Sequence, residues 1–137
     1  MLPLVYPRNV PGRKILVVDD DPDIRRMAGL ALERIGGFRV ELAGDAAEAL
    51  ELAVRELPDL VLLDVTMPGT DGPAILAALR RVELTARIPV VFFTAAANDT
   101  EAARLLGLGA AGIVPKPFEV ADLPRRIRAF LADLGID

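Results

Sequence analysis

The sequence contains no cysteine and no histidine among its 137 residues. Without cysteine the chain has neither disulfides nor thiolate chemistry, and a reducing cytosol is a permitted location. Without histidine it lacks the commonest general base and the commonest transition-metal ligand. Any chemistry must therefore run on carboxylates, hydroxyl groups, lysine and the backbone.

Long apolar runs and clustered basic residues are missing as well. Hydrophobic residues make up 53% of the chain, but no run approaches the roughly 18–20 apolar residues that span a bilayer. Residues 1–12 contain three prolines and no compact apolar stretch after a basic one, which is not typical of a signal peptide. The formal net charge is −4 and the Lys and Arg residues are scattered, so no nucleic-acid surface is predicted. We expect a cytoplasmic protein without membrane or direct nucleic-acid contact.

The length predicts one domain with one hydrophobic core. We interpret residues 1–12 as a Pro-rich N-terminal extension and residues 13–134 as the domain. Inside the domain, short apolar or alternating segments are typical of strands. The predicted strands cover residues 14–18, 38–43, 59–64, 88–94 and 111–115.

Segments with helical periodicity separate these strands. The Asp21-Pro22 pair predicts a helix start in which Asp21 is the N-cap rather than a metal ligand. Pro124 indicates that the last helix begins late, with Asp122 near its cap. The predicted helices cover residues 22–35, 45–57, 72–82, 98–108 and 119–134. Their predicted inward stripes include Ile24, Met27, Ala28, Ala31 and Ile35 in the first helix, Ile75, Leu76, Leu79 and Val82 in the third, and Leu123, Ile127, Phe130, Leu131 and Leu134 in the last.

Strands that alternate with helices predict an α/β fold with a parallel sheet covered on both faces. Continuous apolar strands agree with burial on both faces. Right-handed crossovers leave few topologies. In the flavodoxin-like order 2-1-3-4-5, strands 1, 3, 4 and 5 are neighbours, and ligands bind beyond the carboxyl ends of the strands.

Groups suited to phosphoryl transfer stand at the carboxyl ends of four predicted strands. Asp19, Asp20 and Asp21 come after the first strand, Asp64 and Thr94 end the third and fourth, and Lys116 follows the fifth. Carboxylates that share a pocket repel one another unless a cation lies among them, and Mg²⁺ prefers oxygen ligands. An aspartate there could attack phosphorus and form an aspartyl phosphate. The metal and the lysine would neutralise the transferring group, and the threonine could bond a phosphate oxygen. Each residue alone has a structural interpretation, but their joint placement favours a phosphoryl site.

Four segments together resemble the receiver domains of two-component response regulators: "ILVVDDDPDIRR", "PDLVLLDVTMPGTDG", "PVVFFTA" and "VPKPF". The resemblance covers about residues 13–134. It implies a single-domain flavodoxin-like (βα)5 fold and a phosphorylation-dependent switch in phosphorelay signalling. Such a switch is not an enzyme, because it catalyses at most its own phosphorylation and slow dephosphorylation.

The resemblance also implies a role for each matched residue. Asp64 matches the phosphoacceptor, and Asp19 and Asp20 match the acidic pair that binds Mg²⁺, with Asp20 the more direct ligand. Thr66 matches the position whose backbone carbonyl completes the metal site.

A second group of matches concerns phosphate binding and switching. Thr94 matches the hydroxyl that moves toward the phosphoryl group, and the small Ala95 keeps access open. Lys116 matches the phosphate-pairing lysine, and its bond to Pro117 is expected to be cis.

Two positions depart from many members of that family. Ile113 stands where an aromatic ring commonly swings inward on activation, and isoleucine has neither the ring nor the hydroxyl of the usual coupling between threonine and tyrosine. Ala96 stands where a longer or charged side chain is common, and with Thr66 it flanks the path by which water reaches the site. Neither departure touches the phosphorylation chemistry.

The implied partners are a histidine kinase or a histidine phosphotransfer protein, and a downstream protein that binds the fourth helix, fifth strand and fifth helix. A phosphorylation-dependent homodimer is a further expectation. Output is expected through protein–protein contact, with a fragment of a larger regulator as the alternative.

Two other functions stay open. The first is a pseudo-receiver that uses the same fold only for docking. The second is a haloacid-dehalogenase-like phosphatase, since Asp19-x-Asp21 superficially matches that nucleophile motif. Acyl-phosphate labelling distinguishes the phosphatase from a receiver. In the phosphatase Asp19→Asn would abolish the labelling, whereas in a receiver Asp64→Asn would abolish it.

Overall fold

The computed structural model describes residues 12–136. Apart from Gly12, the predicted N-terminal extension of residues 1–12 lies outside the described residues. Within the described part, five strands alternate with five α-helices. The strands are β1 (Lys14–Val18), β2 (Arg39–Ala43), β3 (Leu60–Asp64), β4 (Val90–Thr94) and β5 (Gly112–Pro115). The helices are α1 (Pro22–Leu30), α2 (Ala46–Glu56), α3 (Gly72–Arg81), α4 (Asp99–Gly107) and α5 (Asp122–Asp133).

All five strands pair in parallel, in the order β2-β1-β3-β4-β5. The register sets Asp64 beside Phe93 and Thr94 beside Pro115. The carboxyl ends of neighbouring strands therefore meet at one edge of the sheet. The predicted α/β fold class and strand order are confirmed.

The apolar run of β3 fills both faces of the sheet. Leu60 and Leu62 belong to the core beneath α1 and α5, whereas Val61 and Leu63 belong to the core beneath α2, α3 and α4. Successive side chains of a strand point to opposite faces, and here both faces are covered by helices. This explains why the run shows no alternation with polar residues, and it leaves Asp64 at the end of a rigid central strand.

Side chains cap the N-termini of the first four helices. The caps, which accept backbone N–H groups of the first turn, are Asp21, Asp45, Asp71 and Asn98. The fifth helix begins at Asp122 without a side-chain cap, so the predicted late start is confirmed. Pro124 lies in its first turn, where a backbone N–H has no partner within the helix.

Four residues of the predicted inward stripes are exposed instead: Met27, Ile35, Val82 and Leu134. The first helix continues from α1 into a π-helical segment, Ala31–Ile35, closed by the Gly36 N–H on the Ala31 carbonyl at 3.1 Å. This wider turn breaks the spacing on which the burial of Ile35 was predicted. Val82 and Leu134 lie just past their helix ends. No helix between residues 12 and 136 is both long and apolar enough to cross a bilayer.

Candidate functional site

The carboxyl edge of the sheet holds a cavity of about 290 Å³. Its walls include Asp19 and Asp20 after β1, Asp64 at the end of β3, Thr94 at the end of β4 and Lys116 after β5. These residues are distant in sequence, but neighbouring parallel strands deliver them to one place. The structure thus brings together the strand-end residues that the sequence predicted to meet.

Lys116 binds two carboxylates at once. Its Nζ donates to Asp19 Oδ2 at 2.8 Å and to Asp64 Oδ1 at 3.1 Å. Asp19 is fully buried and Asp64 is 5% exposed. The backbone N–H of Asp21 donates to Asp19 Oδ1 at 2.9 Å, so both oxygens of Asp19 are engaged and its carboxylate is held in place.

Asp19, Asp64 and Lys116 together carry more negative than positive charge. Burial raises the pKa of Asp64, the hydrogen bond from Lys116 opposes that rise, and the charge of Asp19 adds to it. Burial lowers the pKa of Lys116, but the hydrogen bonds with Asp19 and Asp64 outweigh burial and leave its pKa above the ordinary value. The Lys116 ammonium, which two carboxylates share, stays charged. For Asp64, the attraction of that ammonium stabilises the charged carboxylate less than burial destabilises it. A further cation nearby would favour the charged form of Asp64.

The donor set at this edge suits a hard cation. Asp19, Asp20 and Asp64 each offer a carboxylate oxygen, and these three oxygens lie within 4.8 Å of one another. Mg²⁺ takes carboxylate and carbonyl oxygens together with water. Asp20 is exposed, and within residues 12–136 its carboxylate has no hydrogen-bond or ion-pair partner. The residues present therefore fit a divalent cation that Asp20 is free to bind.

Three small or hydroxyl-bearing residues complete the walls. The Thr94 hydroxyl is buried and accepts the Ala96 N–H at 3.0 Å. Ala95 and Thr66 are exposed at the opening, and the backbone of Thr66 slightly opposes the rise that burial causes in the pKa of Asp64. These positions leave the cavity open to solvent above Asp64.

The segment after β5 has the predicted turn. The Lys116–Pro117 peptide bond is cis, and the Lys116 N–H donates to the Thr94 carbonyl at 2.8 Å. Lys116 Nζ also lies 5.3 Å from the centre of the Phe93 ring, which stacks on Phe118. These ring contacts were not predicted, although Phe93 and Phe118 flank the threonine and the lysine in the motifs.

Asp21 lines the cavity but acts as the helix cap that its sequence context predicted. Its Oδ1 accepts the N–H groups of Asp23 at 2.9 Å and Ile24 at 3.4 Å, and it is not among the three carboxylates close enough to share a cation. Ile113 is half-buried and packs against the core beneath α2, α3 and α4. No sequence pattern pointed to Arg25, whose guanidinium donates to the backbone carbonyl of Asp19 at 2.7 Å.

The chain resembles characterised proteins over most of its length. The model of the response regulator receiver domain matches residues 15–128. The transcriptional activator protein PfeR of Pseudomonas aeruginosa is 39% identical over 129 residues, which are 94% of this chain and 41% of that protein. The phosphate regulon transcriptional regulatory protein PhoB of the same organism is 37% identical, over 90% of this chain and 54% of its own. The chain thus spans about half the length of these curated relatives.

Solved structures agree with the sequence comparison. The chemotaxis response regulator CheY4 of Vibrio cholerae superposes with a TM-score of 0.81 at 30% identity, covering 88% of this chain and 99% of its own. A putative response regulator from Chloroflexus aurantiacus gives a TM-score of 0.80 at 33% identity, covering 88% and 98%. These findings favour neither the phosphatase nor the docking-only alternative. The chain belongs to the receiver domain family of two-component response regulators.

Proposed function

We propose that Asp64 accepts a phosphoryl group from a phosphohistidine donor, with Mg²⁺ as cofactor, and that the product is the signalling state of this domain. Receiver domains pair with histidine kinases and with downstream effectors. The observation that carries the proposal is the joint contact of Lys116 Nζ with Asp19 and Asp64, beside a third carboxylate, Asp20.

Asp64 is the proposed nucleophile because it is buried at the end of a rigid strand while the cavity above its carboxylate is open to a phosphodonor. A carboxylate oxygen of Asp64 forms the new O–P bond while the P–N bond to the donor imidazole breaks, and that electron pair stays with the imidazole nitrogen. Lys116 holds Oδ1 at 3.1 Å and orients the carboxylate for attack. Negative charge on the transferring oxygens is offset by the same ammonium.

The metal ligands in this proposal are the carboxylates of Asp19, Asp20 and Asp64 and the backbone carbonyl of Thr66. When bound, Mg²⁺ supplies positive charge that offsets the phosphoryl oxygens and the crowded carboxylates. Asp19 is already fixed by Lys116 and by the Asp21 N–H, whereas Asp20 is free to turn toward the cation.

Phosphorylation adds charge next to Thr94. A phosphoryl group carries about −1.5 to −2 charges at neutral pH. The Thr94 hydroxyl, which accepts the Ala96 N–H in this structure, would instead donate to a phosphoryl oxygen and shift β4 and the start of α4. Ile113 on β5 has no ring that could swing inward after that hydroxyl, and it stays half-buried against the core. Ala95 and Ala96 leave water access to Asp64, which permits slow loss of the phosphoryl group without a second enzyme.

The output surface in this proposal is the face of α4, β5 and α5, which binds a downstream protein or a second copy. The named relatives are transcriptional regulators about twice as long as this chain. The receiver itself contacts protein rather than nucleic acid in this proposal, and any contact with DNA would belong to a further domain.

The test uses a small phosphodonor, acetyl phosphate, with millimolar Mg²⁺, and intact-protein mass spectrometry. The wild type is expected to gain the mass of one phosphoryl group. Asp64→Asn is expected to gain none, while Asp133→Asn, the same change at an exposed site on α5, behaves as wild type. A wild-type chain that stays unmodified, and that does not respond to beryllofluoride, would establish the docking-only role. Labelling that survives in Asp64→Asn and disappears in Asp19→Asn would establish the phosphatase.

A further inference from the structure

Arg25 connects two loops at the cation site. It lies half-buried on α1, and its Nη1 donates to the backbone carbonyl of Asp19 at 2.7 Å. The same guanidinium lies against Gly44, where an added Cβ would come within 2.7 Å of Nη1. Arg25 therefore links the loop between β1 and α1 to the loop between β2 and α2.

The second of these loops is itself anchored. The Gly44 N–H donates to Glu48 Oε1 at 2.8 Å, and Asp45 Oδ1 accepts the Glu48 N–H at 2.8 Å. The Asp19 N–H donates to the Ala43 carbonyl at 3.1 Å. Arg25 is thus seated against a loop that the capping interactions of α2 hold in place.

Arg25 bonds the carbonyl of the peptide group that joins Asp19 to Asp20. The carboxylate of Asp19 is fixed by Lys116, but that of Asp20 has no hydrogen-bond or ion-pair partner in the described part of the chain. Its direction therefore depends on the backbone that carries it. That backbone is held at the Asp19 carbonyl by Arg25, and at the Asp21 N–H by Asp19 Oδ1.

We propose that Arg25 is a positioning residue for the cation site: by holding the Asp19 carbonyl against the Gly44 loop, it aims the Asp20 carboxylate at the cation. This inference rests on the proposed function, because it assigns to Arg25 a task in the binding of Mg²⁺. Arg25 touches neither the cation nor the phosphoryl group; it acts through the backbone.

Two effects of Arg25 on Mg²⁺ affinity have opposite signs. A guanidinium near the carboxylates repels a cation, so its loss on Coulombic grounds would tighten binding. Loss of positioning weakens binding, and residues that orient metal ligands commonly contribute about 10–100-fold in affinity. The sign of the change therefore identifies which role Arg25 has.

Isothermal titration calorimetry with Mg²⁺ measures that sign. Arg25→Met keeps the apolar stem and removes the donor, and we expect it to raise the Kd about tenfold. Arg26→Met is the matched control, because Arg26 is an exposed neighbour on α1 whose one ion pair within residues 12–136 is with Asp23 at 3.4 Å. We expect that control to change the Kd by less than about twofold. Urea unfolding in EDTA gives the stability of each variant separately.

A second variant tests the same idea without removing charge. In Gly44→Ala the new methyl group would lie 2.7 Å from Nη1, which is too close, and Nη1 stands at the flexible end of the Arg25 side chain. We therefore expect the guanidinium to be displaced while the fold is kept. We expect a higher Kd for Gly44→Ala, and no further rise when it is added to Arg25→Met.

The calorimetry distinguishes failure of the proposed function from failure of the positioning role of Arg25. If the wild type binds no Mg²⁺, the proposed function fails and this inference falls with it. If the wild type binds and Arg25→Met binds equally well or more tightly, only the positioning role is overturned. Should Arg25→Met not fold, an unchanged Kd in Gly44→Ala would overturn it instead.

Discussion

Lys116 shares its one ammonium between Asp19 and Asp64, and both carboxylates are almost fully buried. A buried carboxylate that loses its partner retains the penalty of desolvation without the compensating attraction. A cation among these carboxylates therefore stabilises the cavity, and within residues 12–136 Lys116 supplies that cation.

We predict that Lys116→Met lowers the free energy of unfolding in EDTA by about 3 kcal/mol. Saturating Mg²⁺ should restore part of that loss, because a divalent cation among the carboxylates takes over the task of the missing ammonium. The chain has two lysines, and Lys14→Met is the matched control, since Lys14 is equally shielded and pairs with Glu56 at 2.7 Å at the other end of the sheet. Urea unfolding with and without Mg²⁺ measures both. An equal Mg²⁺ gain in Lys116→Met and Lys14→Met would contradict the prediction.

Glu56 ties the end of α2 to the start of β1. Its Oε1 accepts Lys14 Nζ at 2.7 Å, and this hydrogen bond holds the pKa of Glu56 below the ordinary value of 4.5. A carboxylate with a lowered folded pKa stabilises the protein above its unfolded pKa, and that contribution disappears as pH falls through the folded pKa.

The lowered pKa of Glu56 predicts how the stability of a Glu56 variant depends on pH. Glu56→Gln should be less stable than the wild type at pH 7, and the difference should disappear as the pH falls below 4.5 and through the lowered pKa of Glu56 in the folded protein. Thermal unfolding across this range measures the difference between the two melting curves. Glu51→Gln on the same helix is the control, because Glu51 is 70% exposed and pairs with Arg55 at 3.7 Å. A gap between Glu56→Gln and wild type that does not depend on pH would exclude the ion pair as its cause.

Gly72 lets the start of α3 pass close to the end of β3. A Cβ added at Gly72 would overlap the backbone oxygen of Asp64 and come within 3.0 Å of the Val65 Cα. Because both neighbours are backbone atoms, they cannot move aside as a side chain can. The glycine in the Asp71-Gly72 pair therefore serves the position of Asp64, in addition to following the cap of α3.

We predict that Gly72→Ala destabilises the fold by about 3 kcal/mol and slows phosphorylation of Asp64 in the fraction that stays folded. Gly107→Ala is the control, because a Cβ at the end of α4 meets nothing within 4 Å. We expect that change to be neutral or slightly stabilising. Urea unfolding and the acetyl phosphate reaction give the two readouts. Wild-type stability in Gly72→Ala would show that the backbone near Asp64 has room to relax.

The sequence predicted strands and helix caps well where adjacent residues carry the pattern. The apolar run of β3 and the Asp21-Pro22 cap can each be predicted from adjacent residues, whereas the cis bond between Lys116 and Pro117 was an implication of the family resemblance. The exposure of Ile35 was missed because the π-helical turn before it depends on how the end of the helix packs, not on the spacing of apolar residues. The role of Arg25 was missed because its partner is a backbone carbonyl, and no side-chain pattern marks such a contact.

At the scale of the whole molecule, we expect the charged candidate site to cost folding stability compared with an apolar site of the same volume. Three carboxylates lie within reach of one cation while a single lysine offsets two of them. A ligand that binds only the folded state stabilises it by RT ln(1 + [L]/Kd). Mg²⁺ binding therefore links the occupancy of one cavity to the unfolding of the entire domain.

This linkage gives a final prediction for Asp20. Mg²⁺ at 100 times its Kd should raise the free energy of unfolding of the wild type by about 2.7 kcal/mol. Asp20→Asn should lose nearly all of that gain while its stability in EDTA stays equal to or above that of the wild type. The exposed carboxylate of Asp20 has no partner among residues 12–136, and it repels the neighbouring carboxylates. Asp133→Asn, on the exposed end of α5, should keep the full gain. Thermal unfolding over a Mg²⁺ titration measures all three proteins, and a full Mg²⁺ gain in Asp20→Asn would remove Asp20 from the ligand set.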